Sequence, residues 1–231
     1  IPKVVRPPSL HLRRAVQLLD EGQNQLLAAR NGLDRGLGQF ESTHDSLNLL
    51  YLCIRHIDSV IVLATQDSVL WPAAITVARG AFETCVRSLW LVDADDPFER
   101  EGRWLGLLDS DVETRYRFAR RAEAESETKV NAAAQRELAK HFRQRHDQIK
   151  VLLAEKGRAP VAVPKMDAMM KATRIRTSYA HYVQSSQYAH GTLWATWAFR
   201  GGDWDTRSGK ELSGEQSWNV PLGLCRSALV D

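Results

Sequence analysis

Apolar positions recur at helical spacing along almost the whole chain. Leu12, Val16, Leu19, Leu26 and Leu27 share one side of a helix expected over about residues 9–29. A second helix is expected from Asp45 or Ser46, either a suitable N-cap, to about Thr65. Pro72 is tolerated in a first turn and opens a third, ending near Asp93. Asp95-Asp96-Pro97 is a turn and a fresh cap, so a fourth helix runs from Pro97 into the 120s. The polar run 123–128 interrupts it, and an amphipathic helix follows over about 129–156, with Leu138, Phe142, Ile149 and Leu152 on one side. Gly157, Pro160 and Pro164 break the chain. A last long helix is expected from Met166 to Phe199, with no proline inside, and beyond Gly201-Gly202 the chain reads as surface loop with a short helix after Pro221.

The second and third helices are apolar around most of their circumference and belong in the middle of a bundle. The expectation is an all-α fold: one domain over 1–231, a bundle of five to six helices with its core at about 9–199 and a loop-rich tail at 200–231. Composition agrees. The 231 residues are 44% hydrophobic and 26% charged, which excludes collagen-like, disordered and disulfide-scaffold chains.

Several chemistries drop out. Residues 47–64 contain Arg55, His56 and Asp58, and residues 72–92 contain Arg79, Glu83 and Arg87, so neither reads as a membrane span and no membrane partner is expected. Cys53, Cys85 and Cys225 form no C-x-x-C pair, and so sparse and odd a count fits a reducing, cytoplasmic setting. Cys53 and Cys85 lie in apolar runs and read as small core residues. A di-iron bundle needs two E-x-x-H motifs, whereas Glu41-x-x-His44 stands alone, ahead of the expected helix start, so no metal site is expected. Neither a P-loop nor a dinucleotide or nucleophile-elbow motif is present, and no cofactor is expected.

The net charge of +3 hides an asymmetry. Residues 41–100 hold four Lys/Arg against nine Asp/Glu, whereas residues 112–158 hold twelve against seven. The plainer reading is a solvated basic helix beside an acidic region; the sharper one is a basic face that meets an anion such as RNA phosphate.

Two polar stripes interrupt the apolar helices. Arg79, Glu83 and Arg87 are spaced i, i+4, i+8 in the third helix, and Arg79 can pair with Glu83 within it. They read either as an ion pair tying helices together or as an arginine held by a glutamate and aimed at an anionic ligand. Tyr182, Ser186 and His190 repeat the spacing in the last helix, followed by Gly191, which would let another backbone approach. They read either as an interhelical hydrogen-bond ladder or as the far wall of a polar pocket facing Arg79 and Glu83. In the second case His190 is a general acid or base, and Tyr182 and Arg79 stabilise negative charge.

These residues carry a resemblance. The segment V-A-R-G-A-F-E-T-C-V-R-S-L-W-L-V-D, residues 77–93, is similar to the signature helix of an uncharacterised bacterial all-helical family that shows R-x3-E before an acidic turn. That family's second signature, Y-x3-S-x3-H before a small residue, resembles Tyr182, Ser186, His190 and Gly191, so the resemblance spans about residues 45–200. It implies a fold and a site rather than an activity. More loosely, the bundle resembles HEPN domains, helical ribonucleases of toxin and antiphage systems with an R-x4-6-H motif. That resemblance implies metal-independent RNA cleavage, with His181 and either Arg176 or Arg174 as the best-placed match; Arg6 with His11 and Arg136 with His141 also fit the spacing.

Four of the seven tryptophans, Trp194, Trp197, Trp204 and Trp218, crowd the last 38 residues. They read as packing anchors, as an aromatic wall for a planar ligand or as a partner surface. The functional expectation is a non-catalytic or regulatory binding protein with an anion pocket built from Arg79, Glu83, Arg87, Tyr182, Ser186 and His190. The alternative is a HEPN-like ribonuclease. A small anion or RNA is the expected ligand, and a protein partner or homodimer fits the same features.

Overall fold

The computed structural model describes residues 6–31, 39–124, 129–175, 179–193, 195, 196 and 215–230. Among them are eight α-helices and no strand: α1 Leu10–Asn31, α2 Glu41–Gln66, α3 Trp71–Val92, α4 Pro97–Ala124, α5 Lys129–Glu155, α6 Met166–Ala172, α7 Tyr179–Ala189 and α8 Asn219–Val230. Short 3-10 turns at Ser68–Leu70 and Glu215–Trp218 precede α3 and α8. The all-α expectation stands, but five to six helices was too few.

The chain groups into two compact units. The first comprises residues 1–37, 47–88 and 166–231; the second comprises 38–46 and 89–165.

In the first unit α1 buries Leu12, Val16, Leu19 and Gln23, one face at helical spacing, and the Gln23 amide donates to Asp58 on α2. Cys53, Ile57, Val60 and Ala64 from α2 and Ala74, Ala78, Phe82 and Val86 from α3 complete the apolar interior. By length and composition α2 is also apolar enough to cross a membrane. The three cysteines, distant in sequence, are all buried and free, on α2, α3 and α8. The hydrogen bond with the Cys85 thiol, then burial, holds Cys53, and burial alone Cys225, far above the ordinary thiol range. Cys53 and Cys225 remain neutral, unreactive core groups.

The C-terminal segment is not simply a loop-rich tail. Residues 215–230 are helical, and α8 starts two residues before Pro221, which sits in its first turn. Leu224, Cys225 and Ala228 are buried, the Cys85 thiol donates to the Ala228 carbonyl (3.4 Å), and the indole of buried Trp218 donates to the Ser68 carbonyl (2.8 Å). Trp194, Trp197 and Trp204 lie outside the described residues.

The expected helix from Met166 to Phe199 is broken. Met169 and Met170 of α6 are buried, and the helix then stops in a left-handed turn: Arg174 has φ +59°, Ile175 N–H donates to Met170 O (3.2 Å), and Arg174 N–H donates to Lys171 O (3.4 Å). This paired bonding is a Schellman stop with arginine where glycine is usual. The same arrangement closes α7, with Thr192 N–H to Gln187 O (3.1 Å), Gly191 N–H to Tyr188 O (3.2 Å) and Gly191 at φ +59°. The glycine serves the turn, not a close approach, since open space surrounds its missing Cβ.

In the second unit α4 and α5 pack antiparallel. Glu123 pairs with Arg136, Arg115 with Gln135 and Asp109 with Arg143, so position numbers rise on one helix as they fall on the other. Residues 159–163 cross α4 over two glycines. Val161 N–H donates to Gly102 O (2.8 Å), and a Cβ on Gly106 would collide with Val161 O.

The start of α2 differs from the expected one. It begins at Glu41, not Asp45 or Ser46, because Glu101, a buried carboxylate on α4, accepts the Ser42 N–H (2.7 Å). Asp45 instead accepts the Trp104 indole N–H (2.6 Å). Glu41 and His44 therefore lie inside the helix, not before it. Among the described residues no three His, Cys, Asp or Glu side chains are grouped to hold a metal.

Candidate functional site

The site lies in the first unit, where α7 crosses the flank of α3. Two aromatic contacts set the crossing: Trp71 against Tyr188 (5.3 Å between rings) and Phe82 against Tyr182 (6.1 Å). The order runs antiparallel, which brings Tyr182 level with residues 79–83 of α3.

Arg79 and Glu83, four residues apart, stand beside the buried stripe of Ala78, Phe82 and Val86. Their side chains are 18% and 25% exposed and pair at 2.8 Å. Tyr182 closes a triangle: its hydroxyl donates to Glu83 Oε1 (2.8 Å) and accepts from Arg79 Nη2 (3.3 Å). The guanidinium also lies 5.2 Å from the centre of the Tyr182 ring, a cation–π contact.

This geometry sets the charge states. Burial works against a charged Arg79, but the Tyr182 hydroxyl and Glu83 carboxylate outweigh it and raise its pKa above the ordinary value. Burial, reinforced by Glu83, raises the Tyr182 phenol. At neutral pH Arg79 is therefore a cation and Tyr182 a neutral phenol whose proton points at Glu83.

The donors of Arg79 are unevenly used. Tyr182 and Glu83 both take Nη2. Among the described residues Nε is buried without a partner, and no hydrogen bond is made at Nη1. A guanidinium carries five N–H groups in a planar fork.

The other expected members stand elsewhere. Arg87 is exposed two turns beyond Arg79. The Ser186 hydroxyl turns back onto its own helix, donating to Tyr182 O (3.2 Å), and neighbouring Ser185, fully buried, donates to the same carbonyl (2.7 Å). His190 lies past the last residue of α7 and is exposed, so the i+8 ladder ends one turn early. His181 is exposed on α7 and Arg174 is exposed in its left-handed turn, outside any helix; Arg176 lies outside the described residues.

One further histidine, outside both polar stripes, lies against α3. His56 of α2 is half-buried with its ring edge against α3, and a Cβ on Gly80 would stand 3.1 Å from its Nε2. Gly80 adjoins Arg79 and lies one turn before Glu83. Burial lowers the His56 pKa, so the imidazole is neutral at pH 7. The available signal was a glycine inside a strongly apolar helix, a position that usually reflects packing.

A sequence model of a family of unknown function, DUF5677, matches residues 46–207, a span that holds Arg79, Glu83, Tyr182 and His56. No curated protein and no solved structure matches the chain.

Proposed function

We propose that this chain, which belongs to the DUF5677 family of unknown function, is a non-catalytic helical binding protein that holds a small anion at Arg79. The observation that supports this reading is the uneven use of the Arg79 fork. Glu83 and Tyr182 orient the guanidinium through Nη2 alone and leave its Nη1 donors uncommitted among the described residues. An oriented guanidinium with a free edge suits two oxygens of a carboxylate or phosphate. Neutral Tyr182 borders it without adding a repelling negative charge, and Glu83 supplies the counter-charge when no ligand is bound.

The test is a melting curve of the full chain with rising inorganic phosphate at constant ionic strength. The expected result is a saturable rise in Tm, absent in Arg79→Ala and reduced in Arg79→Lys, which keeps the charge but loses the fork. A rise that is identical in both variants overturns the assignment. RNA cleavage that persists in EDTA and disappears in Arg79→Ala overturns its non-catalytic part.

A further inference from the structure

From the second unit, independently of the Arg79 site, we infer that the C-terminal half of α4 is a docking surface for single-stranded nucleic acid. The charge ledger of α4 and α5 leads there. Five of the twelve Lys/Arg of residues 112–158 are paired locally: Arg143 with Asp109 and Glu113, Arg136 with Glu123, Lys140 with Glu137, Arg145 with Glu41 and Arg158 with Asp96. Those pairs also occupy the carboxylates of Glu113 and Glu123 on α4. Arg117, Arg120 and Arg121 are exposed and make no ion pair among the described residues; Arg117 donates only to the Thr114 hydroxyl (3.1 Å).

These three arginines share the outer face of α4, at i, i+3 and i+4. Phe118 stands among them with 53% of its surface exposed. The helix dipole accounts for cations in a last turn but not for an exposed phenylalanine between them. Phe118 also borders a groove of about 340 Å³ with Asp111, Thr114, Arg115 and Gln135. Arg115 stacks 5.2 Å from the Phe142 ring and donates to Gln135, while its buried Nε has no partner among the described residues.

Arginines spaced along a ridge suit the phosphodiester backbone, whose charge gives the bulk of affinity. An exposed ring beside a groove of this size suits a base turned out of the stack. Duplex nucleic acid offers phosphates but no free base face, so the pair of features favours a single strand.

The experiment is fluorescence anisotropy of the full chain with a labelled uridine-rich RNA of roughly 12 nucleotides, a site length ordinary for such proteins. Controls are a duplex and a poly-glutamate of similar charge. Binding is expected at about 50 mM salt, falling more than tenfold by about 200 mM. Arg117→Glu combined with Arg121→Glu should lower affinity tenfold or more. Phe118→Ala should lower it about fivefold without changing the salt slope, as lost stacking does. Because all three residues are exposed, Tm is expected to stay within about 2 °C in both variants. No binding at low salt, binding indifferent to the charge reversal, or equal binding of poly-glutamate or duplex overturns the inference.

Discussion

The Tyr182 hydroxyl and the Glu83 carboxylate meet at 2.8 Å across 99 residues of chain, and Arg79 joins both. Removing the hydroxyl deprives Glu83 of one donor but leaves the ring against Phe82 and Arg79. Tyr182→Phe should therefore cost about 1 kcal/mol. Arg79→Ala leaves a part-buried carboxylate unpaired and should cost about 1–3 kcal/mol, reduced from the fully buried case by the remaining exposure. Urea denaturation of the two variants and the double mutant measures the coupling. Additive losses would show that the triangle is not cooperative.

Glu101 is expected to matter more than any helix-capping motif of α2 itself. Glu101→Ala orphans the buried Ser42 N–H and should destabilise by about 1–3 kcal/mol. Asp45→Ala removes a Trp104 partner and leaves the Ser42 N–H capped by Glu101. Hydrogen exchange should show faster opening of the first turn of α2 in the Glu101 variant, and unchanged protection there would contradict the capping role.

Arg174 pays for its left-handed backbone. Glycine adopts φ +59° without steric cost but gives up entropy in the unfolded chain. Arg174→Gly should therefore raise stability by up to about 1 kcal/mol, read as a small upward shift in Tm, whereas Arg174→Val should lower it.

His56 gives the stability curve a slope. Its folded pKa is depressed, so the unfolded chain binds the proton more readily. Its contribution is fully present above the ordinary value of 6.5 and is lost as pH falls from there toward the folded value. Between pH 7 and pH 5 the native chain should lose stability more steeply than His56→Gln. Parallel curves from chemical denaturation at stepped pH would refute this. Gly80→Ala tests the same contact from the other side: it presses a methyl onto the imidazole and should destabilise without altering net charge.

Helix content was legible because apolar spacing is a local property, and the breaks at Pro97 and Gly157 lie where the sequence places them. The i, i+4 relation of Arg79 and Glu83 was equally local. The start of α2 and the end of α6 were not, because the carboxylate that caps one sits on another helix and the turn that ends the other falls on an arginine, where glycine is usual. His190 falls just past the end of α7 at Ala189 and is exposed, and no sequence pattern marks His56 because its partner is a glycine with no side chain.

An all-helical chain with apolar second and third helices and a paired Arg79 and Glu83 is written into the residue order, since each follows from contacts within a few residues. It took the packing of the helices to bring Tyr182 onto that pair, to keep Ser186 and His190 from it, and to pair Arg136, Arg143 and Arg145 with carboxylates while Arg117, Arg120 and Arg121 make no ion pair among the described residues. Those outcomes depend on which helix faces cross and in what register, and periodicity along a single chain carries no record of either.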